Sequence, residues 1–167
     1  MSTHAKADEP SGEVLLVLEP SAPRLFVAIA SLALLAFFLI ALAISPAPFL
    51  GRVFLIVLGL GTLWMAWTMA GVRGRSLELT AAGLREAPSG KVIAEVASVV
   101  RVERGAFAFK PSSGFLIVLK DRRMPSAWVP GLWWRLGRRA GVGGVVGSGQ
   151  ARAVAEMLDL LREKASD

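Results

Sequence analysis

Two stretches without a formal charge constrain this chain more than anything else in it: 27 residues between Arg24 and Arg52, and 20 between Arg52 and Arg73. A helix rises about 1.5 Å per residue, so about 20 apolar residues match a hydrocarbon layer roughly 30 Å thick. The runs predict membrane spans over 25–44 and 53–72. Between them, Pro46 and Pro48 remove backbone donors and bias the residues before them toward extended geometry, which predicts a tight helical hairpin. Composition agrees, because 54% hydrophobic and 19% charged residues leave more apolar surface than a soluble domain can hide.

A cleaved signal peptide is the rival reading of the first span, since Ala41-Leu42-Ala43 has the small-x-small spacing of a cleavage site. Against it, a signal core has about 7–15 residues and a basic leader. Here the leader sets Asp8, Glu9, Glu13 and Glu19 against Lys6 and Arg24. The span is therefore expected to stay.

Basic residues are retained on the cytoplasmic side of a membrane. Sixteen of the 19 Lys and Arg lie from Arg73 onward, where the net charge is +7, against −2 before residue 25 and +1 in the hairpin. These counts predict a multi-pass inner-membrane protein with both termini in the cytoplasm. Segment 1–24 then hangs beneath the membrane beside a domain of residues 73–167.

Several function classes drop out early. There is no cysteine, and His4 is the single histidine, so disulfides, thiolate or multi-histidine metal sites and histidine-based dyads are not expected. No cofactor is expected. Neither predicted span holds an ionisable residue, whereas ion and proton pathways need such groups. The second span does carry Gly59, Thr62, Ala66 and Ala70 at helical spacing beside Trp64 and Trp67, a helix-packing stripe for the first span or for another protein.

Beyond Arg73 the pattern becomes short alternating runs separated by turns, the signature of strands. Leu77 and Leu79 alternate with Glu78 and Thr80, and Pro88-Ser89-Gly90 reads as a turn. Val92–Val102 is rich in β-branched residues. A hairpin is predicted from Phe107–Phe109 through Pro111–Gly114 into Phe115–Leu119, with further strands at Ala127–Val129 and Val142–Val146. The chain then changes to the helical period, with Val154, Leu158, Leu161 and Ala165 on one stripe, Met157 and Leu160 widening it, and Ser148 as cap. The expected class is a membrane α-helical hairpin plus an α+β domain: a small curved antiparallel sheet or partly open barrel covered by a C-terminal amphipathic helix.

The order "SLELTAAGLRE", "KVIAEVASVVRVER", "FAFKPSSGFLIVLK" and a terminal helix resembles the bacterial pleckstrin-homology-like domains that follow two membrane spans in small proteins of mostly unassigned function. The resemblance covers roughly residues 74–165 and rests on apolar alternation. It implies that 12–19, "GEVLLVLE", returns as an added strand on the sheet. Segment Pro125–Gly147 departs from it, being richer in Trp, Arg and Gly than a plain strand meander.

That segment holds the candidate binding residues. Trp128, Trp133 and Trp134 are interleaved with Arg135, Arg138 and Arg139, and Lys120, Arg122 and Arg123 lie just upstream. Tryptophan favours the headgroup layer and arginine pairs with phosphate through a bidentate fork. Two functional readings stand beside a bland one: a loop facing anionic lipid headgroups, a surface for another membrane protein or a second copy of the chain, or core tryptophans with a solvated basic rim. A nucleic-acid surface is not expected, because cytoplasmic retention already accounts for the basic charge and no recognition motif is present. The glycines of 141–149 fit neither the dinucleotide nor the phosphate-loop spacing, and read as a bulged strand or a turn into the helix. Among the acids, Glu95 is the one whose alternation points inward. An enzyme acting on lipid would need such a buried acid lining a pocket under the spans. The chain is expected to be a non-enzymatic membrane protein that docks on or assembles a membrane complex, with an anionic-lipid sensor as the alternative.

Overall fold

The computed structural model describes residues 12–46, 48–87, 89–104, 114–121 and 125–165. Two helices, α1 (Ala22–Ile44) and α2 (Phe49–Ala70), form an antiparallel hairpin. Both are long and apolar enough to cross a membrane. Each begins earlier than predicted, because Pro23 suits the first turn of α1 and Pro48 ends the turn by opening α2. Arg52 is therefore helical, its N–H donating to the Pro48 carbonyl at 3.0 Å, and not a loop residue. The second span also stops short: Gly71 ends α2, and Val72 turns into the core of the domain with 1% exposure.

The hairpin closes along small residues. Ala36 and Ala43 of α1 and Gly59 and Ala66 of α2 are all buried, with Gly59 lying against Ala36 and Ile40. Thr62 is half-buried and its hydroxyl donates within its own helix, to the Leu58 carbonyl. Ala70 departs from the predicted stripe: Met69 takes the inward position at that turn, and Ala70, about 100° further round, is exposed. Trp64 and Trp67 point outward. A Cβ at Gly59 would lie 2.8 Å from Ile40 Cγ1, whereas one at Gly61 meets nothing within 4 Å. Gly59→Leu is therefore expected to destabilise the hairpin by about 1–3 kcal/mol through overpacking, and Gly61→Leu to be near neutral. SDS-unfolding midpoints in bicelles check the pair, and equal midpoints would refute this packing.

Two antiparallel sheets follow, with strand order β1-β2-β3-β4 in one and β5-β6-β9-β8-β7 in the other. The first comprises β1 (Val14–Leu18), β2 (Ser76–Thr80), β3 (Gly83–Ala87) and β4 (Lys91–Glu95). The second comprises β5 (Val99–Glu103), β6 (Phe115–Leu119), β7 (Ala127–Val129), β8 (Trp133–Leu136) and β9 (Arg139–Val142). Alternation explains β2, where Leu77 and Leu79 are buried, while β6 is buried almost throughout, as a central strand should be. Helix α3 (Ser148–Lys164) lays Ala151, Val154, Ala155 and Leu158 on the core. Leu160 and Ala165 lie off that face and are exposed.

Two local expectations change, and a third falls outside the described residues. The predicted strand Val142–Val146 ends at Val142, because Gly143 and Gly144 take positive φ and turn the chain. Ser148 is the first residue of α3 and not its cap; Gly147 holds the cap position, with no side-chain hydrogen bond. Phe107–Phe109 and Pro111–Ser113, the predicted first arm and turn of a hairpin, lie outside the described residues, although β5 supplies β6 with an antiparallel partner.

Strand β1 precedes the hairpin in sequence yet pairs with β2 beyond it, and Leu18 is fully buried in the domain core. The domain is thus built from both sides of the hairpin. Its junction with the helices is welded at several points. Ser21 N–H donates to the Val145 carbonyl at 2.7 Å, and Arg24 Nη1 donates to the Val146 carbonyl at 2.6 Å. Leu25, Met69 and Val145 form a small apolar cluster beneath them. Gly131 and Gly144 allow the underlying turns to interlock, with Val145 N–H donating to the Gly131 carbonyl at 2.9 Å and no room for a Cβ at Gly144.

Candidate functional site

Antiparallel pairing sorts the strand ends into a rim beside the foot of the hairpin and a rim far from it. Leu18, Ser76, Gly131 and Val145 belong to the near rim, since they join or touch α1 and α2. Strand β8 leaves that rim at Trp133 and β9 returns to it at Val142, so their connecting turn, Gly137-Arg138, stands at the far rim. Lys120 stands there too, because the Leu119 N–H donates to the Arg138 carbonyl at 2.8 Å.

This register takes the tryptophan-arginine segment apart. Trp133 is 1% exposed and part of the core, its indole N–H without a partner among the described residues and the Lys91 ammonium 5.6 Å above its ring. Arg135 is 3% exposed, which corrects its expected place on a lipid-facing loop. Its Nε donates to the Pro125 carbonyl at 3.0 Å, and its Nη1 to the carbonyls of Val92 at 2.7 Å and Ile93 at 3.1 Å. Val92 and Ile93 belong to the other sheet, so the guanidinium rivets the two sheets together. Loss of hydration lowers its pKa from the usual arginine value, although an arginine stays charged.

The remaining residues diverge. Trp134 is half-buried, its ring lying against Gly141, and pairs across the strands with Trp128, which is 54% exposed. Arg138 and Arg139 are exposed on the far rim, where Arg138 Nε donates to the Leu119 carbonyl at 3.2 Å. Leu136 is 69% exposed close by. Arg122 and Arg123 lie outside the described residues. The expected single loop is therefore a set of strands with Trp133 and Arg135 buried on one face, Trp128, Trp134, Leu136 and Arg139 on the other, and Arg138 at the turn between β8 and β9.

Sequence reasoning also missed the buried acid. Glu95 is exposed, whereas Glu86 is 2% exposed; it accepts from Arg75 Nη1 at 2.9 Å and from Ser89 Oγ at 3.0 Å. A charged run that begins as Arg-Glu on a two-residue period carried the signal, since Leu84 and Glu86 share one face of β3. Glu86 lines neither of the cavities at the foot of the hairpin. One of these, about 560 Å³, lies between Arg24, Val27, Met69, Gly131 and Val145. The other, about 400 Å³, lies between Glu19, Ala22, Leu25, Arg73, Arg75 and Ser76. Among the described residues no cluster of acids or histidines has the makings of a metal site.

Compared with family models, curated proteins and solved structures, the chain finds no match.

Proposed function

We propose that this chain is a non-enzymatic inner-membrane protein whose cytoplasmic module, of the pleckstrin-homology-like kind, docks on or assembles a membrane protein complex. The single observation that carries this reading is the position of Leu136, Arg138, Arg139 and Lys120 on the rim farthest from the hairpin. Four strand residues at about 3.3 Å each put that rim roughly 13 Å beyond the foot. At physiological salt the Debye length is about 8 Å, so these arginines are screened from a leaflet at the foot and free to meet a protein. Leu136 supplies an exposed apolar centre among the basic residues, which suits a partner with an acidic rim.

The weld between helices and domain supports the same reading, because a module held at a fixed height presents one face in one orientation. Two antiparallel sheets closed by a C-terminal helix suit the pleckstrin-like assignment, with β7 and β8 as an addition at the edge. Photocrosslinkers at Leu136 and Arg139 in the full chain in native membranes are expected to capture a protein, either a second membrane protein or another copy of the chain. Arg138→Gln with Arg139→Gln is expected to weaken that capture about tenfold. Absence of any protein adduct, with salt-sensitive liposome binding lost in the double variant instead, would replace this reading with the lipid sensor.

A further inference from the structure

The geometry points to a seat for a zwitterionic phospholipid headgroup, a phosphate followed by a primary ammonium, in the cavity between Glu19, Arg73 and Arg75. This inference goes beyond the docking role but rests on the reading that α1 and α2 span a bilayer. The cavity holds about 400 Å³ and opens where both helices meet the domain, with Ala22 and Leu25 of α1 forming its apolar wall. That volume falls in the usual range for small-ligand sites. A lipid beside the hairpin would lay its acyl chains along α1 and its headgroup at this level.

The charges select the headgroup. Arg73 is exposed and makes no ion pair with a described residue, and Glu19 likewise has none. Arg75 spends one guanidinium nitrogen on the buried Glu86 and remains 44% exposed. With Arg75 paired to Glu86 behind the lining, Arg73 and Glu19 leave the cavity one cation and one anion, so the site carries no excess of positive charge to hold an anion alone. It instead offers, among its lining residues, guanidinium groups for a phosphate and a carboxylate for an ammonium. A primary ammonium can donate hydrogen bonds to Glu19, whereas a quaternary one cannot, and a glycerol headgroup brings no cation at all.

The test uses the full chain in nanodiscs containing equal amounts of phosphatidylethanolamine, phosphatidylcholine and phosphatidylglycerol, with retained lipid read by native mass spectrometry. Retention of the ethanolamine lipid is expected to exceed that of either other lipid by about tenfold, the worth of one hydrogen-bonded charge contact. Glu19→Gln should erase the preference for ethanolamine over choline while leaving phosphate-dependent retention intact. Arg73→Gln should weaken retention of all three. Both side chains are exposed and unpaired among the described residues, so neither variant threatens the fold. Equal retention of the three lipids by a correctly inserted protein, or an unchanged preference in Glu19→Gln, would overturn the headgroup seat alone. Failure of the chain to enter nanodiscs would overturn the membrane reading and the seat with it.

Discussion

Arg135→Met is expected to destabilise the domain by about 2–4 kcal/mol, the cost of losing the hydrogen bonds that a buried guanidinium makes to three backbone carbonyls. The side chain it removes is 3% exposed and bonds Pro125, Val92 and Ile93. Methionine restores the packed volume but none of the hydrogen bonds. Arg135→Lys is expected to recover little, because an ammonium is a point donor and cannot span carbonyls that a guanidinium fork reaches from two edges. Arg139→Gln, on the exposed far rim, should stay within about 0.5 kcal/mol of the parent. Chemical unfolding of the full chain in mild detergent, followed by tryptophan fluorescence, separates these outcomes. Equal stability of Arg135→Met and Arg139→Gln would refute the rivet between the sheets. The same result matters for function: loss of lipid binding on replacing Arg135 would report damage to the fold, not a lost phosphate ligand.

The second large effect falls on Trp133. Trp133→Ala should cost about 3–5 kcal/mol, as deletion of a large buried aromatic does. Trp133→Phe should cost only about 1–2 kcal/mol, because the indole N–H already has no partner among the described residues, and its loss breaks no hydrogen bond. Trp128→Ala, with a ring 54% exposed, is expected to change stability by less than about 1 kcal/mol. Urea midpoints for the three variants check the order. A Trp128→Ala variant as damaging as Trp133→Ala would mean that the two rings had been assigned to the wrong sides of the sheet.

Both predictions concern residues that composition alone places together and strand parity separates. "WWRL" read as an unusual basic-aromatic cluster suggests one exposed loop. Read as β8, with Trp133 and Arg135 on one face and Trp134 and Leu136 on the other, it suggests a buried arginine beside a buried tryptophan. The short run made the period hard to see, since four residues show only two repeats. Glu86 escaped for a related reason. Its neighbours Arg85 and Ala87 are half-buried, and the buried ion pair depends on Arg75, which lies on a different strand connection.

The candidate headgroup seat was further from view. Glu19 and Arg73 are separated by the whole hairpin in sequence, and no spacing rule joins residues at such a distance. They come together because β1 pairs with β2 after the chain has gone out along α1 and returned along α2. The Leu18 side chain, buried in a domain that otherwise begins after the second helix, shows the same dependence.

What the sequence determined by itself is the two apolar helices, the turn between them, the strand grammar beyond Arg73 and the closing amphipathic helix. Each follows from local periodicity, proline placement or the absence of charge over a fixed length, and needs no knowledge of distant neighbours. Tertiary structure alone decided which side of β8 is buried, which acid is paired inside and which basic residues stand near the foot of the hairpin. Those outcomes depend on strand register and on contacts between segments far apart in the chain, where a shift of one residue exchanges the buried face for the exposed one.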